Sequence, residues 1–136
     1  MEVSKTEVRV ICNPSSGGGR SDVGRLRAEL GSFEADWVDT GSKEDAVEAA
    51  REWRNGLLIV AGGDGTINEV VNGLGQAGFP EGVTLALLPS GTGNDLAATL
   101  AVPENPDEAG DVIRQGKVRT LDAARVTSPA TGTRPW

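Results

Sequence analysis

Short apolar stretches recur along this chain, separated by amphipathic runs of helical period. Val8–Cys12 alternates into a strand, and Phe33–Asp39 reads as a second, with Phe33, Ala35 and Trp37 on one face at period two. Leu57–Ala61 is apolar at every position, the pattern of a central strand in a parallel sheet covered on both sides. Val83–Leu88 predicts a fourth strand, and Val118–Val126 contains a weaker fifth.

The intervening segments predict helices. Ser21 can cap a helix carrying Val23, Leu26 and Leu30 on one face. Ser42 with Asp45 resembles a capping box ahead of Ala46, Ala49, Ala50 and Trp53, and Asn55-Gly56 supplies a stop. Ile67, Val70, Val71 and Leu74 form an i, i+3, i+4, i+7 stripe that Gly75 should close. Asn105-Pro106 is a cap and first-turn signal for a helix holding Ala109, Val112 and Ile113, closed by Gly116. Strand and helix thus alternate throughout, which predicts an α/β fold: a three-layer open sandwich with a mostly parallel, Rossmann-like sheet. Residues 1–126 form the domain. From Thr127 the chain reads TSPATGTRPW, a tail or the start of something further.

With 136 residues, one domain is expected, and the chain carries no histidine, a single cysteine and a net charge of −7. The missing histidine excludes Ser-His-Asp and Cys-His chemistry and every His-containing metal site, so carboxylates must carry any acid-base work. Cys12 alone cannot form an intrachain disulfide, and its place at a strand end marks it as core. The first twelve residues are too charged for a signal peptide, and the longest apolar run, Leu57–Ala61, falls far short of the roughly 20 residues that span a bilayer. A cytoplasmic protein is expected. The acidic balance argues against nucleic acid as a partner.

Glycine is the anomaly: 19 of 136 residues, about twice the roughly 7% of average proteins. Three clusters directly follow three predicted strands: Asn13-Pro14-Ser15-Ser16-Gly17-Gly18-Gly19, Gly62-Gly63-Asp64-Gly65-Thr66 and Pro89-Ser90-Gly91-Thr92-Gly93-Asn94-Asp95. In a parallel sheet all such loops emerge at one carboxyl edge and should converge there. Glycine lets a ligand approach the backbone, and the amides that open a helix favour an anion, so three such loops describe a phosphate cradle. Ser15, Ser16, Thr66, Ser90 and Thr92 add hydroxyls, and Arg20 is the cation beside a cluster. Asp64 is out of place in a phosphate cradle unless it meets Mg²⁺, accepts a hydrogen bond from the ligand, or orders the loop through its own side chain.

Two familiar nucleotide signatures are absent. Gly73 to Gly78 spells GxGxxG but follows a helix, so it is a chance match to the dinucleotide fingerprint, and no lysine has the spacing of a Walker A loop. Trp37 and Trp53 have the spacing of core residues.

GGDGTINEVVNGL (Gly62–Leu74), LPSGTGNDLA (Leu88–Ala97) and NPSSGGG (Asn13–Gly19) together resemble the nucleotide-binding domain of the diacylglycerol, sphingosine and ceramide kinase superfamily, and most of all its bacterial lipid kinases. The GGDG element is shared with 6-phosphofructokinases and NAD kinases, and the fold implied is theirs. The resemblance implies ATP and Mg²⁺ as cofactors and transfer of the γ-phosphoryl group to a lipid hydroxyl, diacylglycerol-like or sphingoid. Carried over by position, it implies that Asn13, Pro14, Ser15, Ser16 and Gly17, then Gly62, Gly63, Asp64, Gly65, Thr66, Ile67 and Asn68, and finally Ser90, Gly91 and Thr92 line the nucleotide. Thr40 matches a nucleotide-contacting threonine, and Asp64 takes the catalytic and Mg-ATP role. Enzymes of this kind carry a second, β-rich domain that supplies the carboxylate base and further Mg²⁺ contacts and closes the lipid cleft. The 136-residue chain is therefore expected to be a shortened or excised domain, inactive alone, whose full-length form touches membranes transiently. Two other readings stay open: a kinase of a soluble substrate such as NAD or a sugar phosphate, and a non-catalytic nucleotide- or phosphate-binding module.

Overall fold

A computed structural model describes residues 7–13, 27–28, 31, 34–90, 93–128 and 132–133. The sheet is built from β1 (Val8–Cys12), β2 (Ala35–Asp39), β3 (Gly56–Gly62) and β4 (Val83–Pro89), all parallel, in the order β2-β1-β3-β4. Four helices intervene or follow: α1 (Lys43–Glu52), α2 (Asp64–Gln76), the short α3 (Asp95–Thr99) and α4 (Pro106–Gln115). A minimal antiparallel pair, β5 (Thr127–Ser128) with β6 (Gly132–Thr133), lies in the tail.

β3 is buried at all seven positions, as its unbroken apolar run requires. One face of the sheet presents Val8, Val10, Cys12, Leu57, Ile59, Ala61 and Leu88 to Ala109 and Ile113 of α4. The other presents Ile11, Leu58, Val60 and Leu87 to α1, α2 and α3 through Ala46, Ala49, Ala50, Ile67, Val70, Leu74 and Ala97. Helices therefore cover both faces, giving the three-layer α/β arrangement expected from the alternation. Arg9 pins the β2 side. It pairs with Asp36 at 2.7 Å, donates to the Ala49 carbonyl at 2.9 Å, and lies over the Trp53 ring at 5.1 Å.

The start signals hold at α1 and α4, whereas the stop expected at Asn55-Gly56 does not: α1 ends at Glu52, Trp53 is its C-cap in extended backbone, and Gly56 already opens β3. The Ser42 hydroxyl accepts from the Asp45 amide, and the Asp45 carboxylate accepts from the amides of Ser42 and Gly41, a capping box with Asp in place of Glu. Asn105 caps α4 through the Asp107 amide, Pro106 opens it, and Gly116 ends it at φ +68°. The helix expected from Ser21 lies largely outside the described residues, although Arg27 and Ala28 are helical and the Arg27 guanidinium stacks on Trp37 at 4.3 Å.

Two further expectations fail. Gly75 does not close α2, which continues to Gln76; Gly78, at φ +79°, ends it by donating to the Gly75 carbonyl while Phe79 donates to that of Leu74. Residues 118–126 form no strand. They are exposed throughout, and among the described residues β4 has no ladder partner on its outer side. Instead an open apolar groove separates Leu85 and Leu87 of β4 from Val118 and Leu121. Alternating apolar residues make a strand only where a second backbone takes up the hydrogen bonds.

Candidate functional site

The chain leaves β1 toward β2 on one side of the sheet and leaves β3 toward β4 on the other. The topological switch therefore falls between the carboxyl ends of β1 and β3, where open parallel sheets hold their ligands. Asn13 follows β1 there, and Gly63 and Asp64 follow β3. Thr40 and Ser90 stand at the ends of the flanking strands: the Thr40 amide donates to the Cys12 carbonyl at 2.9 Å, and the Ser90 amide donates to the Gly62 carbonyl at 3.1 Å. Three strand-end segments thus share one edge, as their positions in sequence predict.

The first turn of α2 is the centre of this edge. Gly63, its N-cap, has no side chain with which to cap the helix, and among the described residues the first helical amide with a backbone acceptor is that of Ile67, to the Gly63 carbonyl at 3.0 Å. The amides of Gly65 and Thr66 precede it, at the positive end of a thirteen-residue helix. Gly65 is exposed, with open space where a Cβ would stand. An anion seated here would meet backbone donors without displacing any side chain. The Thr66 side chain is buried, its hydroxyl accepting from the Asn13 side-chain amide at a long 3.5 Å.

Asp64 turns the other way. Its two carboxylate oxygens accept from the amides of Asp95, at 2.8 Å, and Leu96, at 3.2 Å, which open α3. The expectation that these third-loop amides belong to the phosphate cradle is corrected: they already serve the carboxylate 31 residues upstream. Gly93 makes the approach possible, since a Cβ on it would stand 3.3 Å from one Asp64 oxygen. Asn94, buried and left-handed at φ +52°, turns the chain into α3. Gly93 and Asn94 entered the sequence reading only as members of the third glycine cluster, with no role of their own; a Gly-Asn-Asp run is a signal for such a left-handed turn.

The remaining candidates divide. Gly62 ends β3 and is buried. Thr40 is buried, with its hydroxyl 3.4 Å from the Cys12 carbonyl, so its hydrogen-bonding serves the strand end. Ile67 points into the core and its amide is taken, so neither side chain nor amide is available to a nucleotide. Asn68 is exposed on α2, accepting from the Asn72 side chain at 3.2 Å and lining a polar groove between α1 and α2. Pro14, Ser15, Ser16, Gly17, Arg20, Gly91 and Thr92 lie outside the described residues. Cys12 is fully buried, as expected of a core residue; burial, and then the Asp39 carboxylate, push its thiol pKa up, with Arg27 opposing. No group of three or more Cys, Asp or Glu side chains among the described residues could hold a metal by itself.

Residues 7–126 match the diacylglycerol kinase catalytic domain. This chain belongs to that family. A diacylglycerol kinase of Staphylococcus saprophyticus is 36% identical over 132 residues, covering 91% of this chain and 42% of its relative. One from Bacillus subtilis is 38% identical over 126 residues, covering 87% and 41%. The crystal structure of a diacylglycerol kinase from Bacillus anthracis superposes with a TM-score of 0.73 at 34% identity, over 84% of this chain and 41% of the other. The chain thus spans about two-fifths of the length of these family members. Within it, the family's fold is the parallel sheet and the helices described above.

Proposed function

We propose that this chain is the nucleotide-binding part of an ATP-dependent lipid kinase, one that transfers the γ-phosphoryl group of ATP to the hydroxyl of a diacylglycerol-like or sphingoid lipid. The observation that carries the reading is the first turn of α2. It stands at the switch point with a glycine cap, the helix-opening amides of Gly65 and Thr66, open space at Gly65, and Asn13 across from it. Membership of the diacylglycerol kinase catalytic domain family supports the acceptor class.

In this reading Gly63, Gly65 and Thr66 hold the nucleotide phosphates by backbone amides, and the loop after β1, from Asn13 to Gly17, and Ser90, Gly91 and Thr92 close around them. Mg²⁺ would arrive with the nucleotide, held chiefly by its phosphates and water. Bound there, it would neutralise charge developing on the transferred group. Because phosphoryl transfer rests on positioning and charge stabilisation, a site of amides, hydroxyls and carboxylates suits it, and histidine is not needed. The base that accepts the lipid hydroxyl proton would come from the part of the relatives that this chain does not span. The working place would be the cytoplasm with transient contact at a membrane surface; no helix among the described residues is long and apolar enough to cross one.

Calorimetric titration tests the reading directly. The chain should bind Mg-ATP, and Gly65→Glu, which sets a negative charge at the open α2 terminus, should abolish binding while leaving the fold intact. Incubated with ATP, Mg²⁺ and diacylglycerol, the 136-residue chain should give no phosphatidic acid above background. Absence of nucleotide binding would overturn the reading, and robust turnover would refute the claim that the base lies elsewhere.

A further inference from the structure

Two side chains of the α2 first turn reach the other two loops of the site, Asp64 by short hydrogen bonds and Thr66 by a long one. Asp64 holds the backbone that opens α3, and Thr66, one position past Gly65, receives the side chain of Asn13 from the end of β1. These partners are 31 and 53 residues away in sequence. The Asp64 bonds are charge-assisted and satisfy two of the amides that a helix start leaves without internal partners. Gly93 is tucked against the same carboxylate, where any side chain would press on it. An acid in this position need not touch a ligand to matter. It fixes where the segment that enters α3, from Gly93 on, stands relative to the first turn of α2.

From this geometry we propose that Asp64 is a positioning residue: its carboxylate clamps the third glycine loop to the first turn of α2, and nucleotide affinity depends on that clamp rather than on a direct bond from Asp64 to metal. The inference deepens the nucleotide-binding reading above and rests on it. The charge of Asp64 is offset by the two amides, which also explains how a carboxylate is accommodated beside a site for phosphate. Loss of the clamp leaves two helix-opening amides without an acceptor and frees the loop to move.

The test uses the full 136-residue chain with Asp64→Asn and Asp64→Ala, titrated with ATP in the presence of Mg²⁺ and again in EDTA. Amide hydrogen exchange is followed at Asp95 and Leu96. Asp64→Ala should expose both amides to exchange and weaken ATP about tenfold, the size of one lost cap, by the same factor with and without Mg²⁺. Asp64→Asn keeps one of the two acceptors and should restore part of the affinity, again equally with and without Mg²⁺. Gly93→Ala, which crowds the carboxylate without removing it, should weaken ATP in both conditions and gives the same answer should Asp64→Ala not fold. Equal damage from Asn and Ala, confined to the Mg²⁺ samples, would identify a metal ligand and overturn the proposal. Unaltered affinity or unaltered exchange in Asp64→Ala would overturn it as well. Wild-type chain that binds no ATP would remove the functional reading along with it, whereas wild-type binding with insensitive variants removes the clamp alone.

Discussion

Gly73 of α2 lies against the Val47 carbonyl of α1 so closely that a Cβ at position 73 would stand 2.2 Å from that oxygen and 2.9 Å from the Ala50 methyl. The two helices that cover one face of the sheet meet through this notch, and α2 is the element whose first turn builds the site. A glycine inside a helix is unfavourable by roughly 1 kcal/mol against alanine, so its presence at Gly73 is set by the packing and not by the helix.

Gly73→Ala should therefore destabilise the fold despite its better helix propensity. The obstacle is backbone, which cannot turn aside, and α1 and α2 must separate. We expect a loss of about 2 kcal/mol, on the order of 8 °C in Tm. Thermal melting followed by circular dichroism checks this, and an unchanged or raised midpoint would contradict the close approach.

Ala101 offers the opposite case. It takes φ +58° at the end of α3, where the Ala101 amide donates to the Ala98 carbonyl and the Val102 amide to that of Ala97, the paired bonds of a Schellman turn. A left-handed alanine is strained where glycine is not. Ala101→Gly should stabilise the chain by about 0.5–1 kcal/mol, net of the extra freedom glycine has when unfolded. Urea denaturation measures it; a loss of stability would mean that the turn is not left-handed in solution.

Glu69 carries a pH dependence. Burial against α1, and next the Glu44 carboxylate, raise its pKa above the ordinary 4.5, with Lys43 opposing. A carboxyl with a folded pKa above its unfolded one supports the fold fully below the unfolded value and loses that support as pH rises through the folded value. Glu69→Gln should accordingly raise the urea midpoint at pH 7 and leave it unchanged near pH 4. A gain of equal size at both values would show that charge is not the cause.

Much of this protein was legible from residues within a few positions of one another. Ser42 with Asp45, and Asn105-Pro106 with Gly116, bound α1 and α4 because a cap acts over a single turn. The apolar run Leu57–Ala61 marks the central strand because both its faces are covered, and glycine after each strand marks the site edge because parallel strands all end on one side. The family resemblance rested on the same segments, and the match over residues 7–126 bears it out.

Other features depended on partners far along the chain. Five residues are too few to show a helical period, and α3 is anchored by an acid 31 positions earlier, so neither its existence nor the service Asp64 gives it was readable locally. Residues 118–126 have the alternation of a strand, but a ladder needs a second backbone and none of the described residues supplies it. Periodicity and caps are local energies, and the sequence by itself determined the four parallel strands, the starts of α1 and α4, and the sheet edge that gathers the glycine loops. Hydrogen bonds between distant segments are set only when the chain is packed, and it was the tertiary structure that decided which edge residues hold one loop to another, as Asp64 holds the start of α3 and Asn13 reaches Thr66.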